Sequence, residues 1–468
     1  MDGSQYMVRF LLGLILLSST ACSDKSGECA PVYFSGEIVN PKSDYVVLYH
    51  NDSYVDSVKL DNHNRFSFHL EGLEEGLYYF SHKPEHQSIY LKGGDSILAR
   101  LNTLEFDETL VYSGEGSAIN NFMTEMYLAH EREEPLVRTF FPLDPQDFQG
   151  KIDSLRKVKI DYLREIEKEN PLSPREMAMA RASIDYGSYI HMEEYPFAHK
   201  RKTGENAFHD LNGSFYAYRK KVDMNNKDLF YYRPYFDFMK MHFGNLSYMG
   251  CLDNCNNGTP TTNRRLHFNQ HKIALVDSLI GAKELRDVLF RSFALDYLIK
   301  EHNTNSESLA FLENFNSLSS NSGHKEEITL LYQAISNLQP GKELPDLILR
   351  DSGDREVSLK EVVKDSDKGH TVLYFWTSSQ KGHFMNVRQQ VERLEEKYPD
   401  YRFVGINLRT SFPQWNLLLE EYKLDKENQY HGGNFKEIQT SMVLDGLNKC
   451  VLAKDTLLLD GFANIFKL

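Results

Sequence analysis

The chain has 468 residues, with 53 Lys and Arg against 67 Asp and Glu, for a formal net charge of −14. That length exceeds one compact core and predicts two or three domains, and a 41% hydrophobic, 12% aromatic composition excludes a disordered chain. The acidic balance excludes a general nucleic-acid binder, which needs a concentrated positive face, and five cysteines are too few for a disulfide-stapled scaffold.

The first predicted element is a leader. Residues 8–21 read VRFLLGLILLSSTA, and Cys22 follows. Arg9 supplies a positive start, and Phe10 to Leu17 form an apolar run too short to span a bilayer as a permanent helix. Ser18, Ser19, Thr20 and Ala21 then lead small residues into the cysteine. This segment resembles the lipobox of bacterial lipoproteins, departing from it at Ser19, where Leu is commonest. The resemblance implies cleavage by the type II signal peptidase, lipid attachment at Cys22, and a membrane partner held through that anchor. A general secretory signal with an incidental cysteine is the alternative. Residues 1–21 are thus expected to be signal peptide and 22–30 a tether, polar at Asp24, Lys25 and Glu28. The expected location is the bacterial cell envelope, on the outer membrane, with which Asp24 beside the anchor is compatible.

Residues 31–113 alternate like strands. Tyr33 to Val39, Tyr45 to Tyr49, Arg65 to Leu70 and Ile97 to Leu101 are short and rich in β-branched and aromatic residues. Asn40-Pro41, Asp61 to Asn64 and Gly93-Gly94-Asp95 separate them as turns. This spacing predicts a small antiparallel β-sandwich. It is similar to an N-terminal β-domain found on exported bacterial thioredoxin-like lipoproteins.

Residues 114–338 change to helical periodicity. Ser117 is placed to cap a helix carrying Ile119, Phe122, Met123 and Met126 on one face. Ser173-Pro174 with Glu176 marks another helix start, and further helices are expected over 264–281, 283–302, 306–318 and 324–338. The aromatic stretch Phe230 to Phe238 reads as core in preference to a carbohydrate surface. Lys200-Arg201-Lys202 and Arg219-Lys220-Lys221 read as solvated faces.

Residues 339–468 switch to alternating strands and helices. Thr371 to Trp376 is a continuous apolar run, as in a strand buried on both faces. Val387, Val391, Leu394 and Tyr398 follow at helical spacing, then Arg402 to Leu408 as the next strand, which predicts a parallel pair. Gly341 to Leu347, Val372 to Ser378 and Phe403 to Leu408, in that order and spacing, resemble the TlpA-like branch of the thioredoxin superfamily. The expected fold class is therefore multidomain α+β: an N-terminal antiparallel β-sandwich, a helical middle and a C-terminal thioredoxin-like α/β domain.

That resemblance implies a Cys-x-x-Cys pair at the start of the helix, where helix-end donors lower the thiol pKa. Here Gln380 and His383 occupy those positions, and neither side chain undergoes thiol–disulfide exchange. The family's cis-proline is replaced as well, with Asn448 at the matching position. A cis bond before a residue other than proline costs about 2.5–4 kcal/mol, so a trans bond is expected there. The domain is expected to be redox-inactive, and its groove around Ser378 to His383 and Asn448 to receive a peptide or protein partner.

Other cysteines offer a competing reading, a thiol–disulfide oxidoreductase or peroxidase using non-standard thiols. Cys450 sits beside the altered motif, and Cys251 and Cys255 are spaced for either a local disulfide or a free pair. His267 and His271 are one helical turn apart but lack a third ligand, so no metal is expected. No Walker loop, Gly-x-Gly-x-x-Gly, Gly-x-Ser-x-Gly or His-Glu-x-x-His occurs, and no cofactor is expected.

Overall fold

The computed structural model describes residues 30–51, 53–205, 211, 213–254, 264–364 and 368–468. Cys22, Cys29 and Cys255 lie outside these residues, and with them the leader, most of the tether and the Cys251–Cys255 pair. The chain divides into two compact units at Met249/Gly250, so the helical stretch is shared between them.

The first unit opens with strands β1 (Val32–Val39), β2 (Tyr45–His50), β3 (Ser53–Lys59), β4 (Arg65–Leu70), β5 (Gly76–His82), β6 (Glu85–Leu91) and β7 (Ser96–Asn102). A short helix α1 (Phe106–Thr109) and strand β8 (Val111–Glu115) complete the β region. Two four-stranded sheets result, ordered β4-β1-β7-β8 and β3-β2-β5-β6. Phe34, Phe66, Phe68 and Phe80 meet in the core between them. The sandwich is not wholly antiparallel: β1 and β7 pair in parallel, from Tyr33↔Ser96 to Val39↔Asn102. The other edge of β1 is taken by antiparallel β4. The chain then builds β5 and β6 in the second sheet and returns to the free edge of β1 in the same direction.

Helices α2 (Ser117–Phe140), α3 (Pro145–Glu169) and α4 (Pro174–Thr203) follow, then α5 (Arg233–Asn254), which runs across the division. Ser117 does not cap α2. Gly116 precedes the helix in the left-handed region at φ 88°, and no side chain caps that end. A Cβ on Gly116 would stand 2.5 Å from the Asp95 carboxyl carbon. Asn120 and Asn121 of α2 instead bond the backbones of Tyr90 and Tyr112, fixing the helix to the sheets. Ser173 does cap α4, in a reciprocal box with Glu176. The aromatic stretch is core, with Tyr235 and Phe238 fully buried.

Asp95 adds a pH dependence to this junction. Burial pushes its carboxyl up from the ordinary carboxylate range to about 7, although its Oδ2 accepts from the Lys92 amide at 2.9 Å. A carboxyl raised on folding contributes fully below its unfolded pKa and loses that contribution as pH climbs through 7. Asp95→Asn is expected to flatten this slope, read as a smaller drop in urea midpoint between pH 4 and pH 8.

The second unit contains α6 (Arg264–Leu279), α7 (Lys283–Glu301), α8 (Ser306–Leu318) and α9 (Ser322–Asn337), close to the expected spans. Strands β9 (Ile348–Arg350) and β10 (Glu356–Ser358) and helix α10 (Leu359–Lys364) lead into β11 (His370–Trp376). Then come α11 (Lys381–Lys397), β12 (Tyr401–Asn407), α12 (Phe412–Glu421), β13 (Gln429–His431), α13 (Phe435–Ser441), β14 (Lys449–Lys454) and β15 (Leu457–Asn464). One seven-stranded sheet gathers them in the order β10-β9-β13-β12-β11-β14-β15. The expected parallel pair is β11 with β12, joined through α11, while β14 lies antiparallel on the other side of β11. Among the described residues no helix is long and apolar enough to cross a membrane.

Candidate functional site

The altered motif lies where central strand β11 passes into α11. Thr377 is extended, Ser378–Gln380 form one 3-10 turn, and Gln380 is exposed at the start of the helix without a capping bond. His383 stands in the first turn of α11. Its Nε2 donates to Asn448 Oδ1 at 2.7 Å, and its ring meets Phe466 edge-on at 6.2 Å. The Asn448 carbonyl accepts from the Ile465 amide at 2.8 Å, which holds the loop against the end of β15. Two of the three positions singled out in the sequence, 65 residues apart, are thus in direct contact, and Gln380 is outside that bond. The single cis bond among the described residues is Lys83–Pro84, so Asn448 follows a trans bond, as expected.

Hydroxyls pin the turn from below. Thr410 Oγ1 donates to Ser378 Oγ at 3.1 Å, and His431 Nε2 donates to the Thr410 carbonyl at 2.7 Å. Under them Trp376 Nε1 donates to Gln429 Oε1 at 3.0 Å, and Gln429 Nε2 donates to the Tyr374 hydroxyl at 2.7 Å. The motif therefore rests on a braced floor.

Cys450 is next to this region but is inaccessible. It is fully buried in β14 opposite Tyr374, and burial pushes its thiol up to about 12. A catalytic thiol needs the thiolate and access to it, and Cys450 has neither. Peptide mapping after iodoacetamide at pH 8 is expected to find Cys450 unmodified in the folded chain and alkylated in denaturant. His267 and His271 come within 6.2 Å between ring centroids, and no group of three or more metal-ligating side chains occurs among the described residues.

Two buried charges escaped the sequence reading. Nothing in the sequence singles out Lys449, between Asn448 and Cys450. Instead its ammonium donates to the carbonyls of Met442 and Val443, closing the end of α13, and lies 4.0 Å over the Phe462 ring. Burial pushes that amine down to about 7. In the first unit Glu193 is completely buried. Arg219 reaches both its oxygens, at 2.9 and 2.5 Å, and His242 Nδ1 donates at 2.7 Å. Arg219 is thus no solvated residue: its guanidinium also stacks 3.6 Å over Tyr216. Neither charge carried a motif, and only the fold brings their partners together.

No family model and no curated protein matches the chain. Solved structures do. A candidate thiol-disulfide oxidoreductase from Bacteroides vulgatus is 23% identical over 27% of this chain and 88% of its own, with a TM-score of 0.24. A thiol:disulfide interchange protein from Bacteroides sp. is 16% identical over 26% and 81%, with a TM-score of 0.23. The thioredoxin domain of another Bacteroides vulgatus oxidoreductase is 18% identical over 26% and 87%, with a TM-score of 0.22. The likeness is one of fold and spans about a quarter of this chain.

Proposed function

We propose that this chain is a lipid-anchored protein of the bacterial cell envelope, on the outer membrane, whose thioredoxin-like domain of the TlpA-like branch binds without exchanging disulfides. The observation that carries the reading is the His383–Asn448 hydrogen bond. It joins the position of the expected resolving cysteine to the position of the expected cis-proline, and replaces a redox centre with a polar clasp. The sequence holds no Cys-x-x-Cys pair. A thiol–disulfide oxidoreductase or peroxidase with non-standard cysteines would need a reactive thiolate, which a buried Cys450 does not supply.

The test is insulin-disulfide reduction by the chain from Ser23 onward, beside a variant lacking Cys251, Cys255 and Cys450. Neither is expected to turn over; cysteine-dependent reduction sinks the proposal. On the binding side, labelled reduced and carboxymethylated insulin B chain is expected to bind, and Asn448→Ala to weaken that binding several-fold by fluorescence anisotropy. For the anchor, palmitate labelling is expected to vanish in Cys22→Ala.

A further inference from the structure

We propose that a cavity between α2 and α4 binds a small organic monocarboxylate with an apolar body. The cavity encloses about 320 Å³, near the lower end for ligand pockets. Its floor is apolar: Val137, Phe141 and Ala198 are buried there. Its rim carries Arg138, Arg201 and Lys202 against Glu134 and Glu194. Three cations facing two carboxylates leave one positive charge, in a chain whose net charge is −14. That surplus suits a monoanion, and it disfavours an amine.

Both arginines are largely exposed on the rim, each in an ion pair with one of its glutamates. Arg138 Nη2 meets Glu134 Oε1 at 2.5 Å, and Arg201 Nη2 meets Glu194 Oε1 at 3.2 Å. Each contact uses one end of a guanidinium. Among the described residues the other nitrogens, like the Lys202 ammonium, have no partner. Each guanidinium thus keeps donors for a carboxylate, which arginine recognises by paired hydrogen bonds. His191 also lines the cavity, and its Nδ1 is buried without a hydrogen-bond partner. A buried polar atom without a partner is costly, and a hydrogen bond from it to a bound carboxylate oxygen would relieve that cost. Burial, followed by the charge of Lys159, holds the His191 ring down to about 4, so at neutral pH it is uncharged and takes the part of a donor in the tautomer that carries its proton on Nδ1.

The probe is 4-phenylbutyrate, titrated calorimetrically into the full chain, with 4-phenylbutanol, 4-phenylbutylamine and inorganic phosphate as comparisons. The acid is expected to bind with a Kd of about 1 mM or tighter, and the other three at least tenfold more weakly. Arg138→Gln combined with Lys202→Gln is expected to weaken the acid at least tenfold with an unchanged melting temperature, since both side chains are on the rim. No binding at about 10 mM, equal binding of the alcohol or of phosphate, or an unaffected double variant would overturn the proposal.

Discussion

Glu193→Ala is expected to lower the unfolding free energy of the first unit by about 3–5 kcal/mol, enough to unfold a marginal domain. The carboxylate has no access to water, and three side-chain donors from two residues converge on it. Removing it leaves the Arg219 guanidinium largely buried without its counter-charge, and that uncompensated charge is the main loss. Burial alone would raise the Glu193 carboxyl; the bonds from His242 and Arg219 outweigh it and hold the group below the usual carboxylate range. A carboxyl lowered on folding contributes fully above its unfolded pKa, and that contribution is lost as pH falls through the folded value. Urea unfolding followed by circular dichroism should therefore show a large loss at pH 7 that shrinks well below pH 4. Glu193→Gln, which keeps the shape, separates charge from cavity: a loss as large as that of alanine assigns the effect to charge.

Trp376→Ala is expected to cost the second unit about 3–5 kcal/mol. The indole is fully buried at the end of β11, stacked 4.3 Å from Phe384, and its Nε1 holds Gln429. Trp376→Phe keeps most of the volume and gives up the hydrogen bond, for an expected loss nearer 1 kcal/mol plus the penalty of an unpaired Gln429 oxygen. Both tryptophans of the chain, Trp376 and Trp415, lie in this unit. Intrinsic fluorescence in the wild type and in Trp376→Phe therefore reports on the second unit directly; equal stability of the alanine and phenylalanine variants would contradict the packing argument.

How far residues announced their structure depended on how many faces of an element are covered. Strand β4 alternates strictly between exposed and buried, β7 does so from Ser96 to Leu101, and both were legible. Strand β5 is buried or half-buried at every position, and β3 buries none, so neither shows the period-two pattern that identifies a strand. The parallel pairing of β1 with β7 left no local mark, since residues in a strand do not state the direction of a distant partner. At the turn into α11, it was legible from spelling alone that Gln380 and His383 stand where the resemblance places cysteines. The hydrogen bond from His383 to Asn448 was not, because it depends on where β14 starts relative to α11. Arg219 looked like part of a solvated run because composition cannot see a buried carboxylate 26 residues earlier.

The place of β1 between β4 and β7 also sets a schedule. Its second partner lies about sixty residues further along the chain. At the usual pace of synthesis that is a delay of roughly 3–12 seconds, during which one side of β1 has its backbone groups open. An open strand edge is a template for mispairing with another chain, so β1 is exposed to it until β7 is available. A chaperone that shields strands until the rest of the sandwich has been made would act on this protein there, before any helix has been synthesised.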